Sequence, residues 1–344
     1  MKRVTLPEAV LRETRAQRCA GAKIGFVPTM GYLHEGHLAL VRRARAECDY
    51  VVVSIFVNPL QFGPSEDFDA YPRDLVRDRK LLRSESVDLI YEPTAEALYP
   101  PDFSTHVEVG SLDANLCGPR RPGHFRGVAT VVCKLLHAVD PDRLYLGQKD
   151  FQQAAILTRM IRDLDLPARV VLVPTVREPS GLALSSRNAY LSAQEREWAP
   201  RLHAALQAAR NAVLDGSLRR PGEVAQFLEA SLADGPGELE YGEVVDAASL
   251  APVDPLAGSM VIALAYRMGR ARLIDNVLVR ADRGARRAGR IAKNGKRSRV
   301  SARSKDEKKP RSARAAAGKE SRARREEKSE SRSGRASRSR RERS

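Results

Sequence analysis

Strand-length apolar runs alternate with segments of helical period along the first half of this chain, and no other feature constrains the fold as tightly. The runs at 23–27, 50–57, 87–91, 143–146 and 170–173 are separated by amphipathic stretches at 33–48, 73–84, 127–139 and 151–164. In 127–139, Val128, Val131, Val132, Leu135, Leu136 and Val139 fall on one helical face. Strand–helix alternation of this kind predicts a parallel sheet covered by helices, an α/β architecture. The unbroken β-branched run at 50–57 suits a strand buried on both sides.

Past residue 175 the pattern changes. Ser192 and Glu195 have capping-box spacing and open a helix expected to run to about Asp215. A second helix is expected at 223–233, followed by strands at 238–245 and 260–267. Residues 1–175 therefore read as the domain of the parallel sheet and 176–280 as a smaller α+β domain. No internal repeat is present.

Composition matters chiefly for where the charge lies. The 344 residues carry 59 Lys and Arg against 43 Asp and Glu, a net +16, yet 281–344 holds 25 basic and 8 acidic residues of that total. The remaining 280 residues are near neutral, with 34 basic and 35 acidic. The last segment has no Phe, Trp or Tyr. It cannot bury enough apolar surface to offset its ordering entropy, so it is expected to be a disordered basic tail. Cys19, Cys48, Cys117 and Cys133 are far apart, as expected for inert or buried thiols rather than a disulfide framework. No apolar run has the length of a membrane span and no signal-peptide core follows Met1. The chain reads as soluble and cytoplasmic.

Three motifs carry chemistry. In Pro28-Thr-Met-Gly-Tyr-Leu-His-Glu-Gly-His37, between an expected strand and helix, His34 and His37 point the same way on the first turn. Gly36 leaves room for a flat ring, and the helix N-terminus favours polyphosphate over imidazolium. Both imidazoles are thus expected to be neutral donors to phosphoryl oxygens. A zincin needs HExxH, one residue more than this spacing. In Gly147-Gln-Lys-Asp-Phe-Gln-Gln153, Asp150 and Gln153 have capping-box spacing, while Lys149 has no packing task and suits charge neutralisation on a transferring phosphate. In Gly181-Leu-Ala-Leu-Ser-Ser-Arg-Asn188, two hydroxyls and a guanidinium offer several phosphate donors. Asn58-Pro-Leu-Gln-Phe-Gly63 ends a strand where ligands lie in open parallel sheets, and Arg120–Arg126 is either an anion site or a solvated loop. His106, His137 and His203 are expected to be structural or exposed. No P-loop, GxGxxG or GxSxG occurs.

These blocks, in this order, resemble the pantoate–β-alanine ligase (pantothenate synthetase) family of the HxGH nucleotidylyl-transferase superfamily, over roughly 1–280. The resemblance implies a Rossmann-like N-terminal domain, a C-terminal lid and a homodimer. It implies ATP-dependent condensation of (R)-pantoate with β-alanine to pantothenate, AMP and pyrophosphate through a pantoyl adenylate. ATP enters as substrate with Mg2+, and no tightly bound organic cofactor is expected. By the same resemblance, ATP meets Met30, Gly31, Tyr32, Leu33, His34, Glu35, Gly36 and His37, then Gly147, Gln148, Lys149 and Asp150, then Val176, Leu184, Ser185, Ser186 and Arg187. His34, His37, Lys149, Ser185, Ser186 and Arg187 are the catalytic set, with His37 the proton donor. Gln61 and Gln153 hold pantoate and Gln61 also touches β-alanine; the metal ligands stay unassigned.

Gln148 and Ser180 depart from the family's usual Glu and Asp, and the tail is an addition. Two rival readings are another HxGH adenylyltransferase, which leaves Gln61 and Gln153 unexplained, and a vestigial core whose tail makes weak polyanion or nucleic-acid contact. Without aromatic residues that tail has no stacking platform for bases.

Overall fold

The computed structural model describes residues 1–64 and 66–281. Six parallel strands form the first sheet in the order β1-β4-β3-β2-β5-β6: β1 Lys2–Val4, β2 Ile24–Thr29, β3 Tyr50–Ile55, β4 Leu89–Tyr91, β5 Arg143–Gly147 and β6 Arg169–Val173. Strand β3 is buried throughout. Tyr50 and Val52 meet α1 (Pro7–Cys19), α5 (His124–Val139) and α6 (Phe151–Asp163). Val51, Val53 and Ile55 meet α2 (Glu35–Glu47) and α3 (Leu75–Ser84) on the other face. A helix α4 (Ala95–Leu98) follows β4. Burial of alternate residues against two helical layers is what an unbroken β-branched run encodes.

Chain connections leave β2 towards β3 on one side, and β5 flanks β2 on the other. The carboxyl ends of β2 and β5 are therefore neighbours at the sheet's switch point, where open α/β sheets bind ligands. The His34–His37 and Gly147–Gln153 segments leave from these two ends.

The second sheet is antiparallel: β7 Glu238–Asp246, β8 Gly258–Met268 and β9 Ala271–Ala281. Met260, Ile262 and Leu264 pack with α8 (Arg201–Asp215) and α9 (Pro221–Leu232), while Val261, Ala263 and Ala265 share a core with Leu112, Phe125 and Ile156. Strand β8 is apolar on both faces because both are covered.

Several expectations need correction. Strand β3 stops at Ile55, and Phe56–Asn58 leaves the sheet. The helix expected from Ser192 to Asp215 is two, α7 (Ala193–Trp198) and α8, because Pro200 supplies no N–H. The Ser192–Glu195 capping box is present, but Asp150 makes no side-chain cap on α6. Cys19 is exposed, whereas the other three thiols are buried. Strand β9 is absent from the sequence expectation, and its last residue, Ala281, pairs with Gly258, one position into the expected tail. The disorder expected for the rest of that tail lies outside the described residues.

Candidate active site

A cavity of about 220 Å3 opens at the switch point. Its lining includes Met30, His34, Gly36 and His37, then Gly147, Lys149, Asp150 and Gln153. Gln61, Val176, Leu184, Ser185, Ser186 and Arg187 line it as well. Four separate segments thus bring their side chains to one space.

The two histidines cap their own helix reciprocally. His34 Nδ1 accepts the Gly36 N–H at 3.2 Å, and His37 Nδ1 accepts the His34 N–H at 3.3 Å. A backbone N–H can only donate, so each Nδ1 is an acceptor and each ring carries its proton on Nε2. Their ring centroids are 4.1 Å apart. Burial and the Lys149 charge pull His34 down to about 4, and burial, the adjacent His34 ring and the Lys149 charge hold His37 well below its ordinary 6.5. The arrangement yields two neutral N–H donors at a helix N-terminus. The flat ring over Gly36 is His34's own: a Cβ there would lie 2.9 Å from its Nδ1 and Cε1.

The turn before this cap depends on Asp78, which sequence reasoning missed. Its carboxylate, fully buried on α3, accepts Tyr32 N–H at 2.7 Å and Leu33 N–H at 2.8 Å. These bonds hold Tyr32 at φ 51°, a left-handed conformation a bulky residue adopts only when its surroundings require it. The available signal was an acid one turn from Leu82 on the helix's buried face.

Lys149 Nζ lies 3.6 Å from Asp150 Oδ1, and Asp150 is the one carboxylate among the lining residues. Across the cavity, Ser185 caps a short 3₁₀ turn by accepting Arg187 N–H at 3.3 Å, and Ser186 Oγ reaches Tyr32 O at 3.4 Å. Arg187 is held by Asp67, another residue missed, with Nη2–Oδ1 at 2.8 Å and Nε–Oδ2 at 3.2 Å. Asp67 has no periodic pattern around it that would have marked it.

Gln61 sits on the turn after Asn58. The buried Asn58 donates to Gln61 Oε1 at 3.3 Å and to Gly127 O at 3.1 Å. Helix α5 comes so close that a Cβ on Gly127 would stand 2.0 Å from Leu60 O. Arg121 is not a free anion site: it forks onto Glu66 with two 2.6 Å bonds. His124 sits 2.8 Å from Gln61 O, so this segment braces the Gln61 turn. The α5 stripe of Val128, Val131, Val132 and Leu135, read from sequence as one helical face, forms the cavity's apolar wall with Phe56.

Five expected ATP contacts do not line the cavity: Gly31, Tyr32, Leu33, Glu35 and Gln148. Leu33 is sealed in the α2–α3 core, Glu35 is exposed and paired with Arg42, and Gln148 Nε2 is 3.4 Å from Asn276 Oδ1. His106 and His137 are exposed, and His203 Nδ1 lies 3.5 Å from Asp275.

Fold and site together define a Rossmann-like α/β protein with a donor-rich cleft at the switch point. Residues 3–278 match the family described as Pantoate-beta-alanine ligase, and the chain belongs to that family. It is 54% identical over 267 residues to the pantothenate synthetase of Heliobacterium modesticaldum, covering 77% of this chain and 95% of that one. A crystal structure of the Thermus thermophilus pantothenate synthetase matches with a TM-score of 0.74 and 48% identity, over 80% of this chain and 99% of that one. A Francisella tularensis pantoate–β-alanine ligase, complexed with β-γ ATP and β-alanine, matches with a TM-score of 0.65 and 34% identity, over 81% and 97%. No described helix is long and apolar enough to cross a membrane.

Proposed function

We propose that this chain joins pantoate to β-alanine at the expense of ATP, through a pantoyl adenylate. The observation that carries the reading is the convergence on one cavity of two neutral histidine donors, Lys149, the Ser185–Arg187 loop and the Gln61–Gln153 pair. The first group suits a polyphosphate, and the glutamines suit a small hydroxy acid against the apolar α5 wall.

In this reading residues 1–175 hold nucleotide and pantoate, and 176–280 form the lid. Met30, Gly36, Gly147, Asp150, Val176 and Leu184 line the nucleotide's path, with Gly31, Tyr32, Leu33, Glu35 and Gln148 shaping it from behind. The Nε2–H groups of His34 and His37, the Lys149 ammonium, the Ser185 and Ser186 hydroxyls and Arg187 face the phosphates. Gln61 and Gln153 orient pantoate so that a carboxylate oxygen attacks the α-phosphorus as the bond to pyrophosphate breaks. Preorganised donors stabilise the charge that gathers on the departing oxygens, with His37 the proton donor among them. The β-alanine amine then attacks the acyl carbon and loses a proton, and the C–O bond to AMP breaks. Water must be excluded while the mixed anhydride exists, a task for the lid. Magnesium enters as part of the Mg–ATP substrate, and no ligand of this chain is assigned to it.

Pantoate-dependent exchange of labelled pyrophosphate into ATP tests the first half-reaction. Exchange that requires pantoate supports the reading. Exchange with pantoate omitted points to another adenylyltransferase.

A further inference from the structure

We propose that Asn276, together with Asp275, positions the two phosphate-facing loops relative to each other, Asn276 acting through Lys149. The inference rests on the reading above that those loops meet the nucleotide.

The two residues are adjacent on β9, 5% and 3% exposed for Asp275 and Asn276, in a strand otherwise rich in apolar side chains. A carboxylate and an amide in such a place are costly unless their bonds are satisfied, so where those bonds go identifies what they do. They do not go to the neighbouring strand. Asp275 and Asn276 are already paired through the backbone with Leu264 and Ala263 of β8.

Instead, both N–H groups of the Asn276 carboxamide are spent on two consecutive carbonyls of the Lys149 loop, Gln148 O at 2.9 Å and Lys149 O at 3.0 Å. A planar amide bonded to consecutive carbonyls fixes the peptide between them, and with it the direction in which Lys149 leaves the backbone. Asp275 takes the other loop. Its carboxylate receives Arg177 Nη1 at 2.6 Å and Nη2 at 2.9 Å, and Arg177 Nη1 also reaches Gly181 O at 3.2 Å. Arg177 and Ala183 bridge the base of the turn that leads into Leu184–Arg187. Burial pushes the Asp275 carboxyl up, but His203 and Arg177 outweigh it and hold the group below its ordinary range, so it stays ionised. One rigid strand thus grips both sides of the phosphate space, the placement on which preorganised catalysis depends.

The test is a double-mutant cycle in the full chain: wild type, Asn276→Asp, Lys149→Ala and the double variant, each read for kcat and for pantoate KM. Asn276→Asp keeps the shape and turns a donor into an acceptor facing two carbonyls. We expect kcat to fall about 30-fold with pantoate KM changed less than about threefold, a loss made mainly in the transition state. With Lys149 already replaced, the same substitution should cost less than about threefold. Equal losses in both backgrounds overturn the proposal, since a merely structural Asn276 is indifferent to Lys149. Asn276→Ala, which adds no charge, stands in should the aspartate variant not fold; failure of both to fold overturns the positioning role. Binding of a non-hydrolysable ATP analogue to the same proteins by calorimetry is read alongside. If wild type makes no AMP from pantoate, the functional reading fails, while the calorimetric cycle still decides whether Asn276 acts through Lys149.

Discussion

Asp78 holds Tyr32 from beneath: its buried carboxylate takes the Tyr32 N–H at 2.7 Å, and the left-handed turn that precedes the histidine cap stands on that bond. The neighbouring Leu33 N–H ties into the same carboxylate at 2.8 Å.

Asp78→Ala leaves two buried donors unmatched next to a strained turn. It should lower unfolding free energy by about 2–4 kcal/mol and weaken nucleotide binding with it. Asp78→Asn, able to accept only one of the two bonds well, should fall between. Denaturant unfolding of the three proteins checks the order; a wild-type midpoint for Asp78→Ala would contradict it.

Lys149 lines the cavity and pairs only loosely with Asp150. Lys149→Ala should reduce adenylation about 100-fold or more while changing unfolding free energy by less than about 1 kcal/mol. Single-turnover AMP formation and thermal unfolding separate the two effects. Near-normal turnover would place the phosphates elsewhere.

Histidines held neutral make stability depend on pH in a defined window. His34 and His124 are both lowered to about 4, chiefly by burial, and His37 is lowered too. The unfolded chain takes up these protons first as pH falls below about 6.5, so stability is full above that value and declines towards pH 4. Between about pH 7 and about pH 5 the loss should be of order 2–4 kcal/mol. The depressed carboxyls, Glu66 and Asp275 among them, act only at lower pH, below their ordinary values of 4.5 and 3.8, while burial raises the Asp78 carboxyl, which opposes the histidines as pH falls. Replacing His34 with Gln should flatten the slope, and a slope left unchanged would contradict the neutral-donor assignment.

The family match ends at residue 278 and β9 at Ala281. A chain ending at Ala281 should keep the turnover and melting temperature of the full protein. Binding of a generic RNA by the two forms across a salt series reads any polyanion contact of 282–344. Equal binding would show that the basic segment adds none.

Much of this was legible in the chain. Two-sided burial of β3 was encoded in its β-branched run, and the place of His34 and His37 at a helix start in their strand-to-helix position, though not the cap they form. Other parts were hidden for physical reasons. Helix α1 buries only Val10 and Thr14, so its periodicity is faint. Strand β9 was masked by the very pair, Asp275 and Asn276, that breaks its apolar run. Asp78 and Asp67 act on residues 46 and 120 positions away, a relationship only the folded chain creates.

The central claim is tested most directly by AMP release from the full chain given Mg–ATP, with pantoate and β-alanine added singly and together. The account predicts steady AMP formation only when both are present. No AMP under any combination from a folded protein, or AMP formed at the same rate without pantoate, would contradict it.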